Sequence, residues 1–165
     1  MNEYDEIWDY DPALRDNFKE GNLRDLWIRQ YRNILFDDAD YETSKNQNDY
    51  HFFEWYAAIT IYEKTGWKCL VEKYQFKNHP KQREIFRRIV PQEIFALGER
   101  GLHQGPQMPD LFAFSPDEKE YRFYEIKGNR DTISGTQRKL FDEIMEISGK
   151  KVIVVRFKPQ KVTLA

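Results

Sequence analysis

The chain has 165 residues, of which 40% are hydrophobic and 16% aromatic, enough to fill the core of one domain. Its only cysteine, Cys69, cannot form an internal disulfide, so the composition suits a reducing compartment. No segment reaches the roughly 18 consecutive apolar residues of a membrane span, and the acidic start of the chain lacks the regions of a signal peptide. We therefore expect a cytoplasmic protein without a membrane partner.

The net charge of −2 conceals an uneven distribution along the chain. Residues 1–63 carry 15 acidic and 6 basic side chains, a net charge of −9, whereas residues 64–165 carry 13 acidic and 20 basic side chains, a net charge of +7. This asymmetry fits an acidic appendage on a basic functional part, and it equally fits two ordinary solvated surfaces.

Hydrophobic periodicity predicts the elements of the first half of the chain. They are an amphipathic helix over residues 22–36, a polar loop over 37–49, a helix over 50–66 and a strand over 67–76. The second helix is expected to end at Gly66, because glycine favours the left-handed conformation that commonly terminates a helix.

The second half of the chain alternates helices and strands. It predicts a basic helical segment over residues 79–101 interrupted near Pro91, strands over 109–114 and 121–128, a helix over 134–148 and a strand over 150–159. This order predicts an α/β domain over residues 50–165, with a small mixed central sheet flanked by helices. Residues 1–49 are interpreted as an acidic helical extension packed against that domain.

Two of these strands carry charged residues where a buried strand would prefer apolar ones. Asp110 stands at the start of one strand, and Glu125 and Lys127 lie within the next. Alternate side chains share a face, so Glu125 and Lys127 point the same way, and Asp110 reaches the same patch if the strands form a hairpin. Two carboxylates suit Mg²⁺, and an adjacent amine can orient or help deprotonate an attacking water and stabilise negative charge at phosphorus.

The same residues carry a resemblance to a known group of enzymes. The sequence PD at 109–110 followed by EIK at 125–127 resembles the PD-(D/E)xK nuclease superfamily. The stretch EIKGNRDTISGTQ (125–137) is similar to the VRR-NUC family, in which the ExK motif precedes a short loop, an Asp, a hydrophobic residue with Ser, and a Gln that opens the next helix. The resemblance covers about two-thirds of the chain, and residues 1–49 and the insertion 79–101 depart from a minimal family domain.

The resemblance implies a restriction-endonuclease-like core that hydrolyses DNA phosphodiester bonds with Mg²⁺ or Mn²⁺. It implies Asp110 and Glu125 as metal ligands, with the backbone carbonyl of Ile126 completing the metal shell. It also implies Lys127 as the catalytic amine and Gln137 as a helix residue directed into the site. Use at the nucleoid would follow from a DNA substrate.

The family also places a glutamate on the helix before the first strand, and Glu54 is the candidate here. Periodicity supports the choice, since Ala57, Ala58 and Ile61 lie on the same helical face as Glu54. Glu63 lies about half a turn around the helix and is expected to be solvated. An inward carboxylate satisfied by a hydrogen bond would explain Glu54 equally well.

Several candidates also have a purely structural explanation. Ser134 and Gln137 have the spacing of a capping box, which would explain both residues without catalysis. We expect Asp131 to shape the loop before the helix rather than to bind metal. His103 lies in a loop just before Asp110 and is expected to be solvated, with no catalytic role.

Basic side chains provide candidate contacts to DNA phosphates. Arg138 and Lys139 stand at the start of the Gln137 helix, and Arg130 lies in the loop before it. Lys81 and Arg87 belong to a basic run over residues 77–88, which the exposed face of an amphipathic helix explains as well.

These features predict an endonuclease that selects DNA structure, such as a junction or a flap. Symmetric cutting of a four-way junction would require a homodimer, for which the N-terminal helices are the expected interface, whereas a monomer fits flap or nicking activity better. Three alternatives stay open: a sequence-specific restriction-type nuclease, a non-catalytic nucleic-acid-binding or assembly module, and a small α/β binding domain in which the motif is coincidental. The process served, whether repair, recombination, phage replication or defence, is also open.

Overall fold

The computed structural model describes residues 5–32, 34–35, 51–128 and 130–161, and in this part of the chain five strands form one sheet. The strands are β1 (Asp5–Tyr10), β2 (Lys68–Val71), β3 (Leu111–Phe114), β4 (Tyr121–Gly128) and β5 (Ile153–Pro159). The helices are α1 (Pro12–Glu20), α2 (Asn22–Tyr31), α3 (Phe52–Thr65), α4 (Pro80–Ile89), α5 (Gln92–Gly101) and α6 (Gly135–Ser148). The predicted loop over 37–49 and the predicted domain boundary at 49/50 lie outside the described residues.

The sheet is mixed and has the order β1-β5-β4-β3-β2. Strands β2, β3 and β4 are antiparallel neighbours, whereas β5 runs parallel to both β4 and β1. Helix α6 forms the crossover between β4 and β5, because parallel neighbours cannot be joined by a tight turn. The predicted α/β fold with a small mixed sheet flanked by helices is therefore confirmed.

Each face of the sheet packs against its own hydrophobic core, because successive side chains of a strand point to opposite faces. Tyr124 and Ile126 of β4 join the core that contains Trp55 of α3. Phe123 of β4 joins the other core, where its ring lies 6.4 Å from that of Phe86 of α4. Glu125 and Lys127 follow Phe123 on this second face, which α4, α5 and α6 cover.

Helix α3 begins and ends close to the predicted positions. Its apolar side chains Phe52, Trp55, Ala58 and others are buried, so tertiary packing holds the helix in place. Gly66 ends it in the left-handed conformation, with φ of 75°, and donates its backbone N–H to the carbonyl of Tyr62 at 2.8 Å. The prediction for Gly66 is confirmed.

The N-terminal extension is not only helical. Helices α1 and α2 are present, but residues 5–10 form β1, an edge strand that pairs in parallel with β5. The acidic sequence DEIWDY conceals this strand, because Asp5, Glu6 and Asp9 lower its apparent strand propensity. The extension therefore contributes a strand to the same sheet as the predicted domain.

The end of one predicted strand changes, whereas the predicted interruption of the basic segment is present. The strand predicted over 67–76 ends at Val71, because Glu72 and Lys73 take positive φ angles of 42° and 53° that a strand cannot continue through. The basic segment 79–101 divides into α4 and α5 with Pro91 at the start of α5, as predicted. No helix in the described part of the chain is long and apolar enough to cross a membrane.

Candidate active site

The site is built where β2, β3 and β4 come together. The antiparallel pairing of Val71 with Leu111 brings the end of β2 beside the start of β3. Glu72 donates its backbone N–H to the carbonyl of Asp110 at 2.8 Å, and the Asp110 carboxylate accepts the backbone N–H of Ile126 at 2.8 Å. Asp110 is thus fixed between β2 and β4, as the predicted hairpin requires.

Glu125 faces Asp110 and is almost completely buried, with 6% of its surface exposed. Burial raises the pKa of Asp110 well above its ordinary value, and the charge of Glu125 raises it further. Burial also raises the pKa of Glu125, although a hydrogen bond from Asp110 and the charge of Lys127 oppose this effect. Two buried carboxyl groups this close share a proton unless a cation neutralises them.

Lys127 lies on the same face as Glu125 and contacts the beginning of α6. Its Nζ lies 3.4 Å from Oε1 of Gln137. That same oxygen accepts the backbone N–H of Ser134 at 3.2 Å, while the Ser134 hydroxyl accepts the backbone N–H of Gln137 at 3.2 Å. The capping box is therefore present, and Gln137 also reaches the predicted catalytic lysine.

The loop between β4 and α6 is held by Asp131. Its carboxylate accepts the backbone N–H of Gly128 at 2.8 Å, so Asp131 shapes the loop, as expected. A Cβ on residue 128 would lie 2.9 Å from that carboxylate, so a larger residue here would displace the Asp131 side chain.

Glu54 lies on the inner side of α3, and its closest ionic partner is a histidine. Its Oε2 lies 3.8 Å from Nδ1 of His51, whose Nε2 lies 3.0 Å from Oε2 of Glu72. The charge of Glu54 contributes to the raised pKa of both Asp110 and Glu125, so Glu54 lies near the acid pair. Burial lowers the pKa of His51, but hydrogen bonds with Glu54 and Glu72 outweigh this and raise it to about 9.

Glu63 behaves differently from Glu54, as the helical spacing predicts. It is exposed, and it accepts a hydrogen bond from the hydroxyl of Tyr31 at 2.7 Å. His103 is likewise exposed, as expected of a solvated loop residue.

A cavity of about 380 Å³ opens in front of the acid pair. Asp110, Glu125 and Gln137 line it together with Glu72 and Gln75. Behind it, the buried hydroxyl of Tyr74 donates to the carbonyl of Pro109 at 2.7 Å and supports the segment that carries Asp110.

The five basic candidates occupy different surroundings. Arg130 and Arg138 are exposed and line a larger groove, about 610 Å³ in volume, between α6 and the β5–β1 edge of the sheet. Lys139 is exposed on the other side of α6. Lys81 is exposed on α4, whereas Arg87 forms an ion pair with Glu84 at 3.0 Å.

The charges of α4 are largely compensated within the protein. Besides Arg87, Arg83 is paired with Glu99, and Arg88 is paired with Glu118 at 2.6 Å. This arrangement favours the interpretation of the basic run as a solvated helical face over a role in tracking phosphates.

Sequence reasoning missed three residues near the acid pair, namely His51, Glu72 and Gln75. Glu72 had a usable signal, since it is an acidic residue at the end of an apolar strand, as Asp110 is at the start of one. The other two had none, because their positions depend on how α3 and the segment after β2 pack.

The geometry fits a divalent cation. Asp110 and Glu125 offer carboxylate oxygens in a cavity. Ile126, the strand residue between Glu125 and Lys127, donates its backbone N–H to Asp110. Oxygen donors of this kind are those that Mg²⁺ and Mn²⁺ prefer. A shared cation would also offset the burial that raises the pKa of both acids.

Comparison with known proteins identifies one family. The model of the VRR-NUC domain matches residues 54–158. The matched range begins at Glu54 and includes Asp110, Glu125, Lys127 and Gln137. No curated protein and no solved structure matches the chain.

Proposed function

The chain belongs to the VRR-NUC domain family, a nuclease family, and from this premise we propose that it is a Mg²⁺- or Mn²⁺-dependent DNA endonuclease. The observation that carries the proposal is that Asp110, Glu125 and Gln137 line one cavity, with Nζ of Lys127 3.4 Å from the amide oxygen of Gln137. Asp110 and Glu125 hold the cation, with the carbonyl of Ile126 and the nearby Glu54 as further ligands. When bound, the cation supplies polarisation of the scissile phosphate and a more acidic water.

Lys127 acts on the reacting atoms from the side of Glu125. Its free amine can orient the attacking water and take a proton from it, and the ammonium group that results can donate a hydrogen bond to a phosphate oxygen, so that negative charge developing at phosphorus is stabilised. Gln137 orients this ammonium group through its amide oxygen, 3.4 Å away. The result is in-line attack by water, with hydrolysis in one step and no covalent intermediate.

DNA reaches the cavity along the beginning of α6. Arg130 and Arg138 are exposed in the groove next to the site, and Lys139 is exposed on the neighbouring surface. These three basic side chains contact DNA phosphates, which positions the DNA backbone without recognising the base sequence. Lys81 and Arg87 on α4 are left out of this contact surface, because Arg87 is paired with Glu84 and the basic run is best explained as a solvated helical face.

Selection of branched DNA fits the architecture better than sequence-specific recognition. Reading a sequence requires an element that enters a DNA groove, and only the α4–α5 insertion is available for that purpose. Its arginines are engaged in ion pairs, and Gln82 and Phe86 of α4 are buried in the domain. A four-way junction would be cut by a homodimer, and a flap by a monomer.

A cleavage panel tests the proposal. Labelled four-way junction, 5′ flap, 3′ flap, plain duplex and single strand are incubated with the protein in Mg²⁺, Mn²⁺ or chelator. We expect metal-dependent cutting with preference for a branched substrate. Binding of one structure without any cutting, in either metal, would favour the non-catalytic module instead. Cutting of plain duplex at one sequence would favour the restriction-type alternative.

A further inference from the structure

A second cluster of metal-ligating side chains lies beside the acid pair. It consists of His51, Glu54 and Glu72, each of which offers one ligand atom within 4.8 Å of the others. The side chains are partly buried, with 12%, 20% and 25% of their surfaces exposed in that order. Neither the sequence pattern nor the family match assigns a role to His51 or Glu72.

We propose that His51, Glu54 and Glu72 form a second cation site that takes a divalent transition-metal ion. The inference rests on the proposed function, because it places this ion next to the cation held by Asp110 and Glu125 and gives Glu54 a role as ligand of both ions. The two sites differ in chemistry, since one offers only oxygen atoms and the other adds an imidazole nitrogen.

The spacing of the three residues suits coordination. Ligand atoms that lie about 2.0–2.2 Å from a common metal ion are separated from each other by roughly 3–3.5 Å. Nε2 of His51 lies 3.0 Å from Oε2 of Glu72, which is within that range. The other ring nitrogen, Nδ1, lies 3.8 Å from Oε2 of Glu54, and one ligand atom from each of the three residues lies within 4.8 Å of the other two, so the side chains must rotate for Glu54 to join the same ion.

The imidazole explains why a transition metal is expected rather than Mg²⁺. Mg²⁺ takes oxygen ligands in a strict octahedral arrangement, whereas imidazole nitrogen suits first-row transition ions. The two nitrogens of His51 face different carboxylates. A metal ion binds one nitrogen of an imidazole, and the other nitrogen can keep its hydrogen for a hydrogen bond to the second oxygen of a ligating glutamate, since carboxylates commonly hold a ligating histidine in this way.

A separate observation points to a ligand with hydrogen-bond donors in the same region. The amide oxygen of Gln75 is buried and accepts no hydrogen bond from the described residues. Gln75 is 1% exposed and lines the cavity together with Glu72, Asp110 and Glu125. A buried acceptor without a donor is unfavourable, and a metal-bound water in this cavity would supply the donor.

The location makes the second site relevant to catalysis. Glu72 lines the same cavity as Asp110 and Glu125, and its backbone N–H donates to the carbonyl of Asp110 at 2.8 Å. A cation among His51, Glu54 and Glu72 would therefore lie beside the acid pair.

The test counts Mn²⁺ bound to the full chain by electron paramagnetic resonance and detects nitrogen coordination by pulsed measurement of ¹⁴N coupling. The variants are His51→Asn, which tolerates the left-handed φ of 61° at this position, and Glu72→Gln. His103→Asn is the matched control, because it removes an exposed histidine of the same chain. Circular dichroism establishes that each variant is folded.

We expect a Mn²⁺ ion with ¹⁴N coupling in the native chain and in His103→Asn. In His51→Asn the coupling should vanish and the affinity of that ion should fall at least tenfold, and Glu72→Gln should also weaken it. Unchanged or tighter Mn²⁺ binding in His51→Asn would overturn the inference and make His51 an internal counter-cation for the glutamates. Asp110→Asn separates the two proposals, since loss of one Mn²⁺ in that variant alone would retain the catalytic site and reject the second site.

Discussion

Lys127 of β4 and Gln137 of α6 are in contact, with Nζ of the lysine 3.4 Å from Oε1 of the glutamine. The same oxygen caps the first turn of α6 through the backbone N–H of Ser134. One amide group therefore connects the start of the helix to the proposed catalytic amine. Any change at Gln137 acts on both helix stability and lysine orientation, and a comparison with Ser134 separates the two effects.

Ser134→Ala and Gln137→Ala should lose similar stability but different activity. Each removes one half of the capping box, which costs about 1 kcal/mol. Only Gln137→Ala also removes the partner of Lys127, so we expect its kcat to fall at least tenfold further than that of Ser134→Ala. Chemical unfolding and DNA cleavage rates measure the two effects. Equal kcat values in the two variants would reduce Gln137 to a capping residue.

Most of this site can be predicted from the sequence, because its residues lie close together along the chain. The segment from Asp110 to Gln137 contains the hairpin, the acid pair and the capping box, so strand alternation and capping rules place most of the site from one continuous stretch. His51 and Glu72 come together only when α3 packs at the end of β2. Such a contact produces no periodic pattern in the sequence.

The same reasoning explains the errors in the fold. Strand β1 forms because Asp5–Tyr10 pairs with β5, at the other end of the chain, and its acidic composition hides this from any local window. The end of β2 at Val71 depends on the positive φ of Glu72, which is uncommon for a glutamate and is imposed by the surrounding structure.

Asp110→Asn should abolish cleavage and yet stabilise the metal-free protein. Burial and the charge of Glu125 raise the pKa of Asp110, so the ionised form is destabilising in the native state when no cation is bound. Asparagine keeps an oxygen for the Ile126 N–H and removes the charge. We expect the melting temperature in chelator to rise by about 2–4 °C, which corresponds to roughly 1 kcal/mol for a chain of this size.

The stabilisation should be restricted to the metal-free state. With saturating Mg²⁺ or Mn²⁺, the native protein gains stability from binding and Asp110→Asn gains less. A lower melting temperature for the variant in chelator would show that the Asp110 carboxylate stabilises the fold, contrary to its role as a cation ligand.

The pH dependence of metal-free stability reports on His51. Its pKa is raised to about 9 in the native state from an ordinary value of 6.5, so the native state binds a proton more tightly than the unfolded state does. This contribution is complete below pH 6.5 and is lost as the pH rises to about 9. Its partners are Glu54 of α3 and Glu72 after β2.

Unfolding in denaturant with chelator, at pH 6, 7.5 and 9.5, measures this contribution. We expect the free energy of unfolding to decrease over that interval more steeply in the native chain than in His51→Asn. Parallel pH profiles would mean that the hydrogen bonds of His51 to the two glutamates contribute nothing to stability.

Gly128→Ala should disturb the loop between β4 and α6. The new Cβ would lie 2.9 Å from the Asp131 carboxylate, which must then shift and release the backbone N–H of Gly128. We expect a loss of about 1–3 kcal/mol in stability and a fall in kcat, because this N–H is left without its partner.

Gly135→Ala is the control for this substitution. A Cβ at Gly135 meets no atom within 4 Å, and alanine favours the first turn of a helix, so stability should stay equal or rise. If both alanine variants behave alike in unfolding and cleavage, the Asp131–Gly128 hydrogen bond has no special role.

Metal-dependent DNA cleavage with Lys127 as the catalytic amine is tested most directly by single-turnover cleavage of the preferred DNA in Mg²⁺. The native chain is compared with Lys127→Ala. Lys119→Ala, which removes an exposed lysine from the turn before β4, serves as the control. We expect metal-dependent cutting by the native chain and by Lys119→Ala. In Lys127→Ala the cleavage rate should fall at least 100-fold while DNA binding is retained. Equal cutting by all three proteins, or cutting that persists in chelator, would contradict the proposal.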